Sequence, residues 1–502
     1  MANKGDTRRP RTVKAVFDEN FSATSHGGAV VIERVLRRLG IRRILSDHLP
    51  PRQGDYSSAQ VCEQVIEGLL TGGKGFQAAE SLRKDAQLKQ IFGHENVAEE
   101  ATVFRAMCDL GGIAQRKFSE AYEPAAAQMV ALDVFGEEKP LPCHRRIVCE
   151  TPERIDDESR EKLAHTLHTV ALRCARALRV ADLSLMGFTP VHGDGTDLEV
   201  RGRCFEGARK NHNGDVSLRL LSVSLGPLFV AQGVYPGATD EGLNIPALIR
   251  EAGSTICELA GRRPVLALMD AAYAEKQVVD ELLERKWFYL ICANQYRVAL
   301  EQMADEVQES QWTRLGPDQS RGWSENQVSV LRHTPEGWSQ PQKVVVRRWR
   351  EVGELPTSPW HYSFLYTNLE TTDLPRGKRD KYGYASLLWM LYSTKQAHEN
   401  NYKPLLSDLG LHHPPSGRLA ATQAFAFVCA LASNIHAVVS NRVVPEEDRG
   451  IRPWRFIRDY VLIPARVSIA AGRTLLVRLA GADVGDEVRR RWLSAFSCAM
   501  RL

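Results

Sequence analysis

Three carboxylates stand where metal-assisted chemistry would want them: Asp194 in FTPVHGDGTDLEV, Asp270 ending the apolar run PVLALMD, and Glu399 within YSTKQAHENNYKPLLSDLGL. Two acids at strand ends and one on a later helix can hold two divalent cations about 4 Å apart. Such a pair activates water and steadies the leaving oxygen in phosphodiester chemistry. Two Mg2+ ions are the expected cofactor, because magnesium prefers hard oxygen ligands and keeps several waters; Mn2+ is expected to substitute. Tyr392 and Lys395 precede Glu399 at spacings of three and four, and Lys403 follows it by four, so all four share one helical face. Taken alone, that stripe reads as an ion-paired helix surface. Asp197 and Glu199 compete with Asp194 for the first position. Alternation along a strand turns Asp197 to the opposite face, and Glu199 lies further from the strand end. His192 and His398 flank the acids, but His398 points about 100° round the helix from Glu399, which fits a structural or phosphate contact.

Composition sets wide bounds. The 502 residues allow about three domains at ~150 residues each, and 43% hydrophobic content supports real cores. A net charge of +4 does not announce a nucleic-acid binder. The positive charge is clumped, however, in residues 4–14, Arg34 to Arg43, Lys343 to Arg350, Arg376 to Lys381 and Arg442 to Arg501. Any one cluster is ordinarily a solvated face. Several of them flanking an acidic triad suggest a surface that tracks DNA. Arg347 and Arg348 are expected to contact DNA. They lie among Trp312, Trp323, Trp338, Trp349 and Trp360, most of which should pack internally while one or two could stack on an unpaired base.

Ten cysteines are scattered singly, with no C-x2-C pair; Cys143-His144 with Cys149 is the nearest approach to a zinc pattern. Many fall in apolar runs, as buried thiols of a reducing cytoplasm do. The polar N-terminus lacks the apolar stretch of a signal peptide. The longest apolar stretch, Ala420 to Val439, contains Gln423, Ser433, Asn434 and His436, and reads as a core helix rather than a membrane span. A cytoplasmic protein with no membrane partner is expected.

These residues need a frame. Residues 1–15 read as a disordered basic tail, 16–140 as a helical DNA-binding region, and 141–184 as linker and helix, so that 27–182 is almost entirely helical. The arginine-rich stretch from Gly27 to Leu49 is the best groove-reading element. Near residue 185 the apolar period changes. Phe188 to Asp194, Ser217 to Leu225, Leu228 to Tyr235, Val265 to Met269 and Trp287 to Ala293 read as strands, with Gly226-Pro227 as a turn and helices at Leu243 to Leu259 and Glu275 to Glu284. Three antiparallel strands followed by crossover units give an α/β mixed sheet of ribonuclease H-like order, whose first and fourth strands are neighbours. Residues 185–300 and 376–440 would form this core and 301–375 a β-rich insertion between the second and third acids. Tyr384 to Tyr402 would be one helix stopped by Pro404, and 441–502 a basic helical region.

On these residues the chain resembles bacterial insertion-sequence transposases of the DDE type, in the group with a Y-x2-R-x3-E-x6-K signature (DDE domain group 1). The resemblance covers roughly 185–440. Asp194 in GDGT matches the first aspartate, Asp270 in ALMDAAY the second, and Tyr392, Lys395 and Glu399 the signature, with lysine where arginine is usual. The run SDLGLHHPPSGRLAATQAFAFVCALASNIH is similar to the family's helix pair beyond the glutamate. Two departures stand out. Leu406 occupies the place of the final signature lysine, for which Lys403 could substitute. Pro190, His192 and Gly193 interrupt a strand that is usually a more regular apolar run. The resemblance implies cleavage at the ends of a mobile element and joining to target DNA. Asp194 would bridge the two ions, Asp270 and Glu399 would each hold one, and Tyr392 and Lys395 would grip the phosphate backbone. It also implies double-stranded DNA partners, namely terminal inverted repeats and target, and a dimer on DNA. The alternatives are a ribonuclease H-like nuclease of recombination or repair, and a catalytically inactive DNA-binding relic.

Overall fold

Short apolar runs between 189 and 292 set the frame of the molecule, five strands of one mixed sheet. The structure is a computed structural model and describes residues 23–111, 118–122, 130–132, 138–140, 145–149, 158–179, 184–200, 205–211, 213–293, 296–395, 402–470, 474–480 and 485–502. Strand β1 (Thr189–Glu199) runs antiparallel to β2 (Val216–Leu225), which turns through Gly226-Pro227 into antiparallel β3 (Leu228–Pro236). Gly226 adopts a positive φ of 55°, which favours a residue without Cβ. On its other side β1 runs parallel to β4 (Val265–Met269), and β4 parallel to β5 (Phe288–Cys292). The order is therefore β3-β2-β1-β4-β5. Every residue of β3 and of β4 is buried, as expected for strands covered on both faces.

The sheet continues beyond β5. Strands β6 (Trp323–His333), β7 (Gln342–Glu351) and β8 (His361–Thr367) pair antiparallel in sequence, and β8 pairs antiparallel with β5 through Leu290 opposite Thr367. The β-rich residues between the second and third acids thus extend the central sheet rather than forming a sheet of their own.

Helices cover both faces. In the N-terminal region α1 (Ser58–Leu70) begins at a capping box: the Ser57 side chain accepts from the Gln60 amide and the Gln60 side chain accepts from the Ser57 amide. With α2 (Glu158–Leu178) it shares one hydrophobic core with the sheet. The crossover helix α3 (Glu241–Ala260) is capped by Asp240, which accepts from the Leu243 amide at 3.1 Å, and α4 (Lys276–Glu284) follows β4. On the other face lies α5 (Tyr384–Ser393), whose Leu387, Leu388 and Leu391 join Leu266 and Leu268 of β4 in a second core. At about 1.5–3 kcal/mol per buried leucine this packing fixes the end of α5 over β4. Helix α6 (Leu419–Val438) is buried at every residue. The apolar stretch long enough to cross a membrane, Leu419–Val443, is thus the core helix its polar residues suggested. Gln423 Oε1 accepts from the Val234 amide and Asn434 Oδ1 from that of Phe229, so its polar groups lock it onto β3. Gly111 lets the preceding helix cross α6 closely, since a Cβ there would lie 1.9 Å from the Ala420 carbonyl oxygen.

Several expectations change. Residues 118–149, read as helix and linker, contain four short strands, Phe118–Tyr122 pairing with Arg145–Cys149 and Val130–Leu132 with Glu138–Pro140. FSEAY and RRIVC carry the aromatic and β-branched residues that favour strands. The C-terminal region, read as helical, holds a hairpin of Ala465–Ala470 with Thr474–Leu479 before its helix Asp486–Arg501, in line with the β-branched content of ARVSIA and TLLVRL. Strand β1 extends five residues beyond Asp194, to Glu199. Pro404 does not stop the chain's helical course: a further turn spans Pro404–Asp408, because a proline in the first turn gives up only an amide that would have no partner there. The basic tail of residues 1–15 and the Cys143-His144 pair lie outside the described residues.

Candidate functional site

Register brings the two aspartates together. Gly193 of β1 pairs with Met269 of β4 in parallel, so the next residues lie side by side, Asp194 still within β1 opposite Ser222 and Asp270 just past the end of β4. Glycine on both sides of Asp194 has a packing cause. A Cβ on Gly195 would lie 2.5 Å from Glu241 Oε2, and one on Gly193 would lie 2.9 Å from Met269 Cε. The β1 backbone is thus pressed against α3 and β4 on the face away from the Asp194 side chain.

On the Asp194 face, one ammonium serves both acids. Lys395 Nζ lies 2.7 Å from Asp270 Oδ2 and 3.9 Å from Asp194 Oδ2, and Lys395 is 3% exposed. Tyr392 donates its hydroxyl to Asp270 Oδ1 at 3.3 Å and to the Met269 carbonyl at 3.2 Å. Asp194 is buried and accepts from its neighbour's amide, Gly195 N, at 2.9 Å, whereas the Asp270 carboxylate is half exposed. The pair is a deep acid beside a shallow one, open to a ligand from the Asp270 side.

Tyr402 was not singled out in the sequence. Its hydroxyl donates to the Asp194 carbonyl at 3.0 Å and lies 2.5 Å from Ser222 Oγ, the residue opposite Asp194 on β2. Burial first, then the Asp194 charge, raise its phenol well above the ordinary tyrosine range, so it stays a neutral donor. Its place three residues beyond Glu399, on the same stripe, was the available signal. Behind β1, Arg219 pairs with Glu241 and with Asp197 at 2.9 Å, and Tyr273 donates to Glu241. Asn211 also donates to Asp197. Asp197 is therefore committed to the opposite face, and Glu199 sits half exposed with His412 Nε2 at 3.5 Å.

The remaining residues divide. Glu399 and His398 lie outside the described residues, so the site as described is two carboxylates, one lysine and one tyrosine. Lys403 is exposed beyond the site. Leu406 is half buried against the main core, a position turned away from solvent where the signature calls for lysine. Arg347 is held between Trp323 and Trp389, with its guanidinium carbon 5.0 and 5.3 Å from the two rings, and burial lowers its pKa to about 10. Arg348 points the other way and is 4% exposed. It pairs with Glu309 at 2.7 Å, hydrogen-bonds Gln327 and lies between Trp312 and Trp360. Expected as a DNA contact, Arg348 is instead an internal cation. In the N-terminal helices Arg38 donates to the Met500 carbonyl and Arg42 to both oxygens of Glu63, while the exposed Arg37 and Arg43 pair within their own helices, with Glu33 at 4.0 Å and Asp47 at 3.3 Å.

Elsewhere among the described residues, Glu63, Glu67 and His94 bring potential metal-ligating atoms within 4.8 Å of one another. Arg42 already holds Glu63, and His94 Nε2 lies 2.5 Å from Glu67 Oε2, so the group is a closed hydrogen-bonded network. The described cysteines are all free, and Cys62, Cys174 and Cys429 are buried. No family model matches the chain, and no curated protein sequence matches it either.

Proposed function

We propose that the chain is a DDE-type transposase that cuts the ends of a DNA element and joins them to target DNA. The observation that carries this reading is the placement of Asp194 and Asp270 on adjacent parallel strands, under one buried lysine and one tyrosine from the helical segment that leads to Glu399. The order β3-β2-β1-β4-β5, with its first three strands antiparallel and the last two parallel to the first, supports a ribonuclease H-like core.

Asp194 and Asp270 offer hard oxygen donors side by side on neighbouring strands, a set that fits Mg2+, with Glu399 as the expected third ligand. Bound there, magnesium would supply an activated water or 3′-hydroxyl and charge stabilisation at the leaving oxygen. In the first step water adds to phosphorus, the bond from phosphorus to the 3′ oxygen breaks, and the proton goes to the departing 3′-hydroxyl. In the second that hydroxyl attacks a target phosphodiester and displaces another 3′ oxygen. The protein's own part is placement. Tyr402 and Ser222 fix the main chain at Asp194, and Tyr392 holds Asp270 at the strand end. Lys395 keeps positive charge where a backbone phosphate must come close. Double-stranded DNA, a dimer on that DNA and a cytoplasmic setting belong to the same proposal.

The test is incubation of the purified protein with Mg2+ and a supercoiled plasmid carrying the gene's own flanking DNA, with Asp270→Ala alongside. Breaks mapped to the element ends and absent in the variant support the proposal. Breaks scattered over the plasmid that still need Asp270 would instead indicate a general nuclease of the same chemistry.

A further inference from the structure

A second feature adjoins the carboxylates. A cleft of about 920 Å3 lies between the start of β1, the end of α6 and the segment 440–452. It is lined by Lys403, Arg442, Arg449 and Arg452 together with His192 and His436, and no aspartate or glutamate lines it among the described residues. Two of the cations are partly offset: Arg452 pairs with Asp408 at 2.6 Å and Arg449 with Glu446 at 3.5 Å. Arg442 is half buried and has no ion pair among the described residues. His436 is 6% exposed, and its Nε2 has no hydrogen-bond partner among the described residues. A buried polar atom without a partner costs free energy that a ligand can return. Burial lowers the His436 pKa to about 3, so the ring is neutral near pH 7 and can still donate one hydrogen bond.

The chemistry of the lining selects an anion with several charges. Its position selects the kind. His192 is two residues before Asp194 on the same face of β1, roughly 7 Å along the strand, and Thr394 at the cleft wall adjoins Lys395. We infer that the cleft binds the phosphates of a single nucleic-acid strand running past the Asp194–Asp270 pair, with Arg442 as the principal phosphate contact. This rests on the transposase reading for the identity of the strand. The cleft, about 920 Å3, has the volume of a small-ligand pocket, which suits a few nucleotides of one strand.

The test uses the full chain in EDTA, so that binding is read without cleavage. A fluorescein-labelled oligothymidylate is titrated by anisotropy over a series of salt concentrations. Arg442→Ala should weaken binding roughly fivefold and flatten the slope of log K against log salt by about 0.7, one phosphate contact on a single strand. Arg442→Lys should keep the slope. Arg297→Ala, an exposed arginine paired with Glu301 and outside both the cleft and the basic clusters, should leave binding unchanged, and thermal melting confirms that each variant folds. Unchanged binding in Arg442→Ala overturns the inference, as does an equal loss in Arg297→Ala, which would be a net-charge effect. Binding of inorganic phosphate or thymidine monophosphate that depends on Arg442, without such dependence for the oligonucleotide, also overturns it in favour of a small-anion site. The two proposals fail separately. Loss of Arg442-dependent binding beside Asp270-dependent cleavage removes only the cleft, and the reverse result removes only the transposase.

Discussion

At the scale of single residues, the candidate site is defined by what presses on Asp194. Gly195 faces Glu241 and Leu221, and a methyl group there would fall inside contact distance of both. Gly195→Ala is expected to cost about 1–3 kcal/mol, as overpacking of a filled interior does, and to displace Asp194; urea unfolding reads the first effect and Mg2+-dependent cleavage the second. A variant as stable as the wild type would mean that α3 yields easily. Lys395 is a different case, because it is buried between two acids. Lys395→Ala is expected to lower cleavage about 100-fold, whereas Lys395→Arg, which restores the guanidinium usual in the signature, should stay within about tenfold of wild type. If arginine fails as badly as alanine, the position needs lysine's geometry rather than its charge. Asp194, Asp270, Tyr392 and Lys395 could be picked out in the sequence because apolar runs and helical spacing are local signals, and the structure brings these four side chains together. Tyr402 and Glu241 were less so, since their roles arise from contacts between distant segments. Arg348 misled for the same reason: its charge is visible in the sequence, but its pairing with Glu309 is not.

At the scale of elements, α1 and the turn that carries His94 are joined by the Glu63–Glu67–His94–Arg42 network. Glu67 is almost wholly buried. Burial first, and then the neighbouring Glu63, raise its pKa well above the usual carboxylate range. A carboxyl whose pKa is raised on folding favours the fold while it is protonated. Its contribution is complete below the ordinary carboxylate pKa and is lost as pH rises through the raised value. Wild type should therefore lose thermal stability relative to Glu67→Gln as pH is taken upward from about 5, with the amide variant flatter over the same range. Melting curves at several pH values check this; parallel curves for the two proteins would contradict it. The helical and strand periods were readable between 185 and 300, where long apolar runs alternate with clear turn residues. They were not readable at 118–149 or 465–479. Those strands are short, and a few apolar residues fit either period.

At the scale of the whole molecule, the sheet continues from β3 to β6, and the N-terminal helices share its main core through α6. Charge placement across the molecule could be read only as clusters. Folding sorts them into internal cations such as Arg348, interhelical ties such as Arg38 and Arg42, and Arg442 of the cleft, which has no ion pair among the described residues. On the proposed function, Asp194 and Asp270, not the nearby Asp197, carry metal-dependent DNA cleavage. The most direct measurement is the Mg2+-dependent cleavage rate of Asp194→Asn, Asp270→Asn and Asp197→Asn under single-turnover conditions on DNA carrying the element end. The first two should fall by about 1,000-fold or more while retaining wild-type folding. Asp197→Asn, altered only on the far face of β1, should keep cutting. Undiminished cleavage in Asp194→Asn or Asp270→Asn would contradict the proposed function.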